Sequence, residues 1–472
     1  MSWEPIAKLA SDVQAGKVTA TELVERALKQ IEATNEYHVV LAVAETRAKE
    51  RASQIDADVK AGKKVGRLAG VPFIAKDNFL TFGTKTTAAS HILEPFEAPY
   101  QATAIEKLEA EGAILVAKAN LDAFAHGSST ENSAFGPTLN PHDKERVPGG
   151  SSGGSGAAVA LDIVPFALGT DTGGSIRLPA SFCGVVGLKP TYGLVSRYGV
   201  VAMASSTDVI GPLTRTVDDA ALVLDVMSGR DALDGTTIER DSETYVSAAA
   251  VKGKKIGVIK EYFGEGLDTG VRAQIDAAID QLKKAGAEIV EVSLPSLKLA
   301  LACYYIIVPA EVSSNLSRFD GQRYGLAALD AEDLDASYEL ARERGFEAEN
   351  KRRIMIGTYV LSSGYYDAYY KKASQVRRLI REDFERVFKD VDILLTPTSP
   401  TTAFKKGEKV SDPMQMYLAD IYTVSVSMAG LPAMSLPAGF IDGLPVGVQL
   451  IGNYFREDLL FNVSHMYEIN KE

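Results

Sequence analysis

The sequence predicts an α/β fold built on a largely buried, partly parallel β-sheet. Three observations support this prediction: apolar strand-like runs alternate with helical patterns early in the chain, a second alternation begins near residue 254, and strand patterns return close to the C-terminus. Because the late strands can complete the same sheet, we predict a single domain over residues 1–472. Within it, we predict a predominantly helical layer or insertion at 296–390.

The first elements are helices, since Thr19 and Glu22 form a capping-box pattern ahead of helically spaced apolar residues. Strand-like runs follow, the second of them after the helical stretch TAIEKLEAEG. These runs are VPFIAKD (71–77), AILVAKAN (113–120) and IVPFALGTDTGG (163–174). Strands that alternate with helices are typical of βαβ units.

The second alternation also predicts a βαβ unit, with strands at 254–262 and 288–294 flanking a helix. Residues 296–390 are instead rich in Ala, Glu, Arg and Tyr in long helical patterns. Strands then return in DILLTPT (392–398), AMSLPAGF and VGVQLIGN, of which the last two form a predicted hairpin through Asp442-Gly443.

Composition excludes several classes of function. The chain is 46% hydrophobic and 24% charged, which is typical of globular proteins. Its net charge of −12 argues against a protein that binds nucleic acid without a partner. Its two cysteines provide neither a disulfide framework nor a zinc cluster, and we predict no metal site and a reducing, cytoplasmic location. The N-terminus lacks a signal-peptide pattern and the longest apolar stretch is short, so we predict a soluble protein without a membrane partner.

The stretch VPGGSSGGSGAAVA (147–160) permits three interpretations. A phosphate-binding P-loop requires a Lys that is missing here, and a flexible linker is not usually followed directly by a helix and a buried strand. The third interpretation is a rigid loop that opens a helix and presents serines for chemistry. A second cluster, GTDTGGSIRLP (169–179), favours it, because both clusters can reach the same edge of the sheet.

A serine nucleophile needs a base. None of the five histidines has the sequence context of a Ser-His-Asp triad. Lys76 ends the apolar run VPFIAKDN, where burial would lower its pKa and leave it able to accept a proton. Considered alone, Lys76 would be interpreted as a strand-end lysine that points into water.

Together these segments resemble the amidase signature family, since VPFIAKDN, PGGSSGGSGAAVA and GTDTGGSIRLPASFCGVVGLKPTYG occur in that order. The resemblance implies a large mixed, twisted sheet covered by helices on both faces. It also implies a catalytic triad in which Ser175 is the nucleophile, Ser151 the bridging serine and Lys76 the base. The Gly150–Ser151 peptide is then expected to be cis, and Ser152 and Ser155 to act in helix initiation or packing.

In the mechanism that this resemblance implies, neutral Lys76 takes a proton from Ser151 while Ser151 takes one from Ser175. The Ser175 oxygen then attacks an amide carbonyl. Backbone N–H groups of Thr172, Gly173 and Gly174, with that of Ser175, are expected to form the oxyanion hole.

Further segments resemble a glutamine-hydrolysing branch of this family over nearly the whole chain. They are GSSTENSAFGPTLNP, GVVAMASSTDVIGPLTRTVDDAALVLDVMSG, YYIIVPAEVSSNLSRFDGQRYG, KRRIMIGTYVLSSGYYDAYYKKA and YLADIYTVSVSMAGLPAMSLP. The resemblance implies a glutaminase subunit of a heterotrimeric, tRNA-dependent ligase, which supplies ammonia for converting Glu-tRNA(Gln) to Gln-tRNA(Gln). The charged tRNA is reached through partner B and C subunits. ATP and Mg²⁺ are expected on the B subunit, whereas no cofactor is intrinsic to this chain.

Glutamine recognition requires a cation for the α-carboxylate and an anion for the α-ammonium group. The resemblance places substrate binding on Tyr304, Arg353 and Asp420. The segment NLDAFAHGSS departs from the commoner family form, which has Glu and Met at the positions of Ala123 and His126. The pocket wall or the ammonia entrance is therefore expected to differ here.

Two other hypotheses remain at this stage. The chain could be a free-standing amidase that acts on aliphatic or aromatic amides without a partner. It could also be mainly a structural or assembly protein within a complex, although the intact Ser175, Ser151 and Lys76 speak against that.

Overall fold

The computed structural model describes residues 2–239, 252–410 and 412–470. The described residues form eleven strands that all belong to one sheet. The strands are β1 (Val40–Val43), β2 (Pro72–Lys76), β3 (Ile114–Ala119), β4 (Phe166–Asp171), β5 (Val186–Lys189), β6 (Val209–Thr214), β7 (Lys255–Ile259), β8 (Glu288–Val292), β9 (Ile393–Pro397), β10 (Ala433–Ile441) and β11 (Leu444–Ile451).

Fifteen α-helices accompany these strands in the same part of the chain. They are α1 (Ile6–Gln14), α2 (Ala20–Ala33), α3 (Glu45–Lys60), α4 (Thr103–Ala110), α5 (Gly153–Ala160), α6 (Arg177–Cys183), α7 (Val217–Met227), α8 (Thr269–Lys284), α9 (Ala300–Asn315), α10 (Leu334–Gly345), α11 (Ala348–Leu361), α12 (Lys372–Val387), α13 (Pro413–Leu418), α14 (Val424–Ala429) and α15 (Glu457–Ile469).

The sheet is mixed, with the strand order β1-β3-β2-β4-β6-β5-β10-β11-β9-β7-β8. Strand β2 runs parallel to both β3 and β4, and β7 runs parallel to β8 and β9. The central strands β6, β5, β10 and β11 pair antiparallel with their neighbours. Because β2 and β4 are parallel, their carboxyl ends meet at one edge, where open α/β sheets place their sites.

Helices pack on both faces of the sheet, as the alternation of side chains along single strands shows. In β9, Leu394 belongs to one apolar cluster and Leu395 to another. In β10, Ala433 and Met434 divide between the same two clusters. Since successive strand residues point to opposite faces, each face has its own apolar core. The predicted α/β fold, a mixed sheet with helices on both faces, is therefore confirmed.

The structure confirms several local predictions. Thr19 and Glu22 form the capping box at the start of α2. The β7-α8-β8 unit is parallel, and β10 and β11 form a hairpin through Asp442 and Gly443. Both residues of this turn have positive φ, the backbone that a tight two-residue hairpin requires.

The described residues between β8 and β9, which include the predicted helical region 296–390, hold helices and turns but no strand. One stretch in it, Pro295–Arg318, is long and apolar enough to span a membrane by length and composition, with a mean hydropathy of 1.3. It contains α9, whose buried residues Tyr304, Ile307 and Val308 pack into one of the two apolar cores. Half of its most apolar window is buried in the fold.

Candidate active site

Lys76 is the last residue of β2, and its side chain is completely buried. Its Nζ atom donates to Ser151 Oγ at 2.8 Å and to Thr170 Oγ1 at 2.9 Å. Thr170 also accepts a hydrogen bond from Asn78 Nδ2 at 3.2 Å. The strand-end lysine therefore points into the protein, against two hydroxyl groups, rather than into water.

The environment of Lys76 favours the neutral amine. Burial lowers its pKa from 10.5 to about 7, although the carboxylates of Asp122, Asp171 and Asp208 act in the opposite direction. Its two closest hydrogen-bond partners are uncharged hydroxyl groups, so no direct ion pair restores the charged form. At neutral pH a large fraction of Lys76 can accept a proton.

The loop that carries Ser151 approaches its neighbours closely. The Gly150–Ser151 peptide is cis, as the resemblance implies. A Cβ atom at Gly150 would overlap a carboxylate oxygen of Asp122 and the backbone nitrogen of Ser129. Any side chain at position 150 would therefore displace the loop.

Asp122 joins this loop to the segment that follows β3. Its carboxylate accepts from the N–H groups of Thr130 at 2.9 Å and Asn132 at 3.1 Å. Its own N–H donates to the carbonyl of Ser151 at 3.3 Å. Burial raises the pKa of Asp122 to about 6, against these hydrogen bonds, which lower it.

The two glycine- and serine-rich clusters lie side by side, as predicted. The N–H of Ser152 donates to the carbonyl of Ser175 at 3.1 Å. Ser152 Oγ donates to the carbonyl of Thr170 at 3.2 Å, and Ser155 Oγ donates to that of Leu168 at 2.8 Å. Ser152 and Ser155 thus bind α5 to β4.

Residues 172–175 form a loop between β4 and α6. Within the described chain, the N–H groups of Gly173, Gly174 and Ser175 have no hydrogen-bond acceptor. The Thr172 side chain turns away and donates to Asp208 Oδ1 at 2.7 Å. A row of unpaired N–H groups beside a serine can stabilise a developing oxyanion.

Both glycines in this loop are packed against other side chains. A Cβ atom at Gly173 would lie 2.7 Å from the hydroxyl oxygen of Tyr304. Gly174 has φ +145° and packs against Thr423, whose hydroxyl donates to the carbonyl of Gly173 at 2.5 Å. These contacts keep the backbone of the loop in one position.

A fully buried ion pair holds the end of this loop. Arg177 donates to Asp171 from Nη2 at 2.8 Å and from Nε at 3.0 Å. Arg177 also donates to the carbonyl of Thr423 at 3.1 Å and to Gln449 Oε1 at 2.6 Å. The guanidinium group therefore joins the end of β4 to α14 and β11.

Ser175 is 8% exposed, whereas Ser151 is completely buried. The hydroxyl of Ser175 makes no hydrogen bond to any described residue. The structure thus brings Lys76 Nζ within hydrogen-bond distance of Ser151 Oγ, but it has no hydrogen bond between the two serine hydroxyls. The relay from Ser175 stays a prediction.

The three predicted substrate-binding residues come from distant elements and meet near this loop. Tyr304 lies on α9 against Gly173, Arg353 lies on α11, and Asp420 follows α13. Asp420 Oδ2 accepts from Ser128 Oγ at 2.7 Å and from Tyr305 OH at 3.4 Å. Burial raises the pKa of Asp420 to about 7, while Ser128 and then Arg353 act to lower it.

Arg353 is 3% exposed, whereas the neighbouring Arg352 has a side chain that is 43% exposed. Arg353 Nε donates to Glu349 Oε1 at 2.8 Å, and its guanidinium carbon lies 5.3 Å from the ring centre of Tyr305 and 5.6 Å from that of Tyr417. Arg353 is therefore a buried cation within an aromatic wall, which favours it over Arg352 for recognition.

The amidase family model matches residues 22–461. The chain belongs to the amidase family. It is 52% identical to the A subunit of glutamyl-tRNA(Gln) amidotransferase from Thioalkalivibrio sulfidiphilus, over 99% of this chain and 97% of that protein. It is 54% identical to the protein of the same name from Nostoc punctiforme, over 95% of this chain and 94% of that protein.

The chain is also similar to a solved structure of an amidase-family protein with the same name as these relatives. The crystal structure of the A subunit of glutamyl-tRNA(Gln) amidotransferase from Thermotoga maritima is 44% identical to this chain, with a TM-score of 0.79. The match covers 96% of this amidase and 92% of that chain. The similarity therefore extends through the whole fold and is not confined to the serine-rich motifs.

Several polar residues of the amidase site were not predicted from the sequence. Two of them, Thr170 and Asn78, lie near Lys76. Asp122 contacts the loop that carries Ser151, and Asp208 accepts from Thr172. The others lie around Arg353 and Asp420: Ser128, Tyr305, Glu349 and Tyr417. Asp122 lies just beyond β3 and Thr170 lies near the end of β4. Both could have been predicted from their positions, because the carboxyl ends of these strands meet at the edge of the sheet that carries the site. The pocket residues are contributed by separate helices and loops and have no such signal.

Proposed function

We propose that this chain is the glutaminase subunit of a glutamyl-tRNA(Gln) amidotransferase. It hydrolyses glutamine to glutamate and ammonia, and the ammonia serves to convert Glu-tRNA(Gln) to Gln-tRNA(Gln) on a partner subunit. The observation that carries the proposal is the buried contact of 2.8 Å between Lys76 Nζ and Ser151 Oγ, beside the unpaired N–H groups of Gly173 and Gly174. The similarity to proteins of that name over nearly the whole chain supports the same function.

In the proposed reaction, neutral Lys76 accepts the hydroxyl proton of Ser151 as Ser151 accepts that of Ser175. The Ser175 oxygen attacks the side-chain carbonyl of glutamine and forms a tetrahedral intermediate. The proton returns through Ser151 to the leaving nitrogen, and ammonia departs from the acyl-enzyme. Water, deprotonated by the same pair, then releases glutamate and regenerates Ser175.

The oxyanion of the intermediate needs donors that exist before the reaction. The N–H groups of Gly173, Gly174 and Ser175 meet that need, because they are unpaired within the described chain and their loop is fixed by Thr423 and Tyr304. Preorganised donors of this kind stabilise a transition state more than the ground state. Thr172, whose hydroxyl is bonded to Asp208, can contribute its backbone N–H.

Glutamine specificity is assigned to the charged pocket. Arg353 supplies a buried cation for the α-carboxylate. Asp420, whose pKa burial raises to about 7, supplies the anion for the α-ammonium group in its deprotonated form. Tyr304 packs against Gly173, and the charges of Arg353 and Asp420 both act on its hydroxyl group. A simple aliphatic or aromatic amide has neither an α-carboxylate nor an α-ammonium group, so a free-standing amidase for such substrates would not need Arg353 and Asp420 for recognition.

The complex proposed around this chain contains B and C subunits, with ATP and Mg²⁺ on the B subunit. Charged tRNA is bound through these partners, in keeping with the net charge of −12 on this chain. A cytoplasmic location is part of the same proposal.

A reconstituted complex tests the proposal with Ser175→Ala. Glutamine-dependent amidation of Glu-tRNA(Gln) should be lost, whereas amidation with added ammonium should persist at the wild-type rate. Glutamine-dependent amidation by the variant would contradict the assignment of Ser175. Rapid hydrolysis of simple aliphatic or aromatic amides by the isolated chain would favour the free-standing amidase instead.

A further inference from the structure

His126 is a completely buried histidine in the segment that follows β3. Its Nδ1 atom lies 2.6 Å from Nδ2 of Asn350 on α11. The same Asn350 nitrogen donates to the carbonyl of Ala123 at 2.9 Å. His126 therefore binds the amide group of Asn350 through a side chain that the commoner family form lacks, whereas Ala123 binds it through its backbone carbonyl.

This arrangement fixes the tautomer of His126. The carbonyl of Ala123 can only accept, so the amide atom of Asn350 that faces it must be the NH₂ group. That group then donates its second hydrogen to His126 Nδ1, which must be unprotonated. The proton of the neutral imidazole is therefore on Nε2.

The Nε2–H group of His126 has no hydrogen-bond partner among the described residues, and neither has Oδ1 of Asn350. Burial lowers the pKa of His126 well below 6.5, and the positive charge of Arg353 lowers it further, so the ring stays neutral. Buried donors are normally paired, so an orphaned donor that lies within range of the Arg353 charge needs a hydrogen-bond partner which the described residues do not supply.

The surroundings of His126 connect it to both charged residues of the pocket. Asn350 and Arg353 are three residues apart on α11, on the same buried face of that helix. Two residues after His126, Ser128 donates to Asp420 Oδ2 at 2.7 Å. The orphaned donor thus belongs to a segment bonded to α11 on one side and to Asp420 on the other.

We infer that His126 is a substrate-binding residue, whose Nε2–H donates to the α-carboxylate of the amino acid that Arg353 neutralises. This role rests on the proposed glutaminase function and extends it. A neutral donor complements Arg353, because a carboxylate has two oxygens and a buried one is stable only when both are bonded.

Two substitutions separate this role from packing. In His126→Asn the new Oδ1 occupies the place of Nδ1 and keeps the bond from Asn350, but the Nε2 donor is lost. In His126→Gln the new amide nitrogen occupies the place of Nε2 and keeps the donor. Both are assayed in the complete complex for glutamine hydrolysis, with thermal unfolding and ammonium-dependent tRNA amidation as measures of folding and assembly.

We expect His126→Asn to raise the KM for glutamine about tenfold or more with kcat changed less than about threefold, as for loss of a hydrogen bond to a charged group. His126→Gln should stay within about threefold of the wild-type KM. With glutamine α-carboxamide as substrate, His126→Asn and wild type should be alike, because the carboxylate is gone.

Equal KM values for His126→Asn and wild type, or an equal rise in KM in both variants together with a lower Tm, would overturn the inference while leaving the proposed function intact. A wild-type complex that releases no ammonia from glutamine would overturn both.

Discussion

The Nζ atom of Lys76 lies 2.8 Å from the Oγ atom of Ser151, and solvent reaches neither side chain. The two residues are 75 positions apart in the chain and come together because β2 ends where the serine-rich loop begins α5. A lysine in this position is useful as a base only when it is neutral. The first two predictions follow from that requirement.

The kcat for glutamine should fall at acid pH. Because burial lowers the pKa of Lys76 to about 7, the amine is protonated below that pH and cannot accept a proton from Ser151. We expect kcat, measured at saturating glutamine, to decrease about tenfold per pH unit well below pH 7 and to level off above pH 8. A kcat that does not change between pH 5.5 and 8.5 would contradict a lysine base.

Replacing this base should stabilise the protein. The lysine of the unfolded chain titrates near 10.5 and that of the folded chain near 7, so between these values folding expels a proton and the free energy of unfolding rises with pH. Lys76→Met removes the free-energy cost of releasing this proton. We expect the free energy of unfolding to rise by about 1–3 kcal/mol at pH 7, and the gain to shrink towards pH 10. Thermal unfolding at both pH values measures it; a gain that is independent of pH would assign the effect to packing alone.

The two predicted catalytic serines should differ from a third serine nearby. Ser175→Ala and Ser151→Ala should each lower kcat for glutamine hydrolysis by roughly 10³-fold or more. Ser155→Ala is the matched control, because Ser155 is also buried and lies in the same motif, but its hydroxyl bonds the carbonyl of Leu168. We expect the control to keep kcat within about threefold, as measured by ammonia release.

Adjacent arginines on α11 allow a similar comparison. Arg353→Met should raise the KM for glutamine about 100-fold, since a buried carboxylate would lose its cation. Arg352→Met should leave KM within about twofold, because the Arg352 side chain is 43% exposed and water screens its ion pair with Glu349. If both variants behaved alike, the cation of the pocket would have been assigned to the wrong residue.

Gly150→Ala should disrupt the site, because the added methyl group would overlap the Asp122 carboxylate and the backbone of Ser129. We expect a loss of about 2–4 kcal/mol in stability and a kcat at least about tenfold lower. Gly264→Ala is the control, since nothing lies within 4 Å of a Cβ atom there. A wild-type Tm and kcat in Gly150→Ala would show that the loop has room that its contacts do not indicate.

Much of the sheet could be predicted from the sequence. Strands β2, β3 and β4 lie within the predicted segments, because buried parallel strands appear as continuous apolar runs. Strand β6 (Val209–Thr214) was missed because it contains Gly211 and Pro212, residues that are depleted in strands. Strand β1, with four partly exposed residues at the sheet edge, gave too weak a pattern.

The catalytic motifs could be located because each is a local string of residues, whereas the contacts that make them work are not local. Thr170 reaches Lys76 across 94 positions, and Ser128 reaches Asp420 across 292. No periodicity or spacing in the sequence records such pairs. The protonation preferences of Lys76 and Asp420 also depend on burial by these distant partners, and so they become visible only in the folded chain.

The contacts of Arg177 have a consequence for the way the protein is made. This residue positions the loop that carries Ser175, yet two of its partners, Thr423 and Gln449, lie 246 and 272 positions further along the chain. A buried guanidinium group without its partners is strongly destabilising. We therefore expect the growing chain to be inactive until α14 and β11 have joined the fold, so that glutamine hydrolysis begins only after both segments have been synthesised.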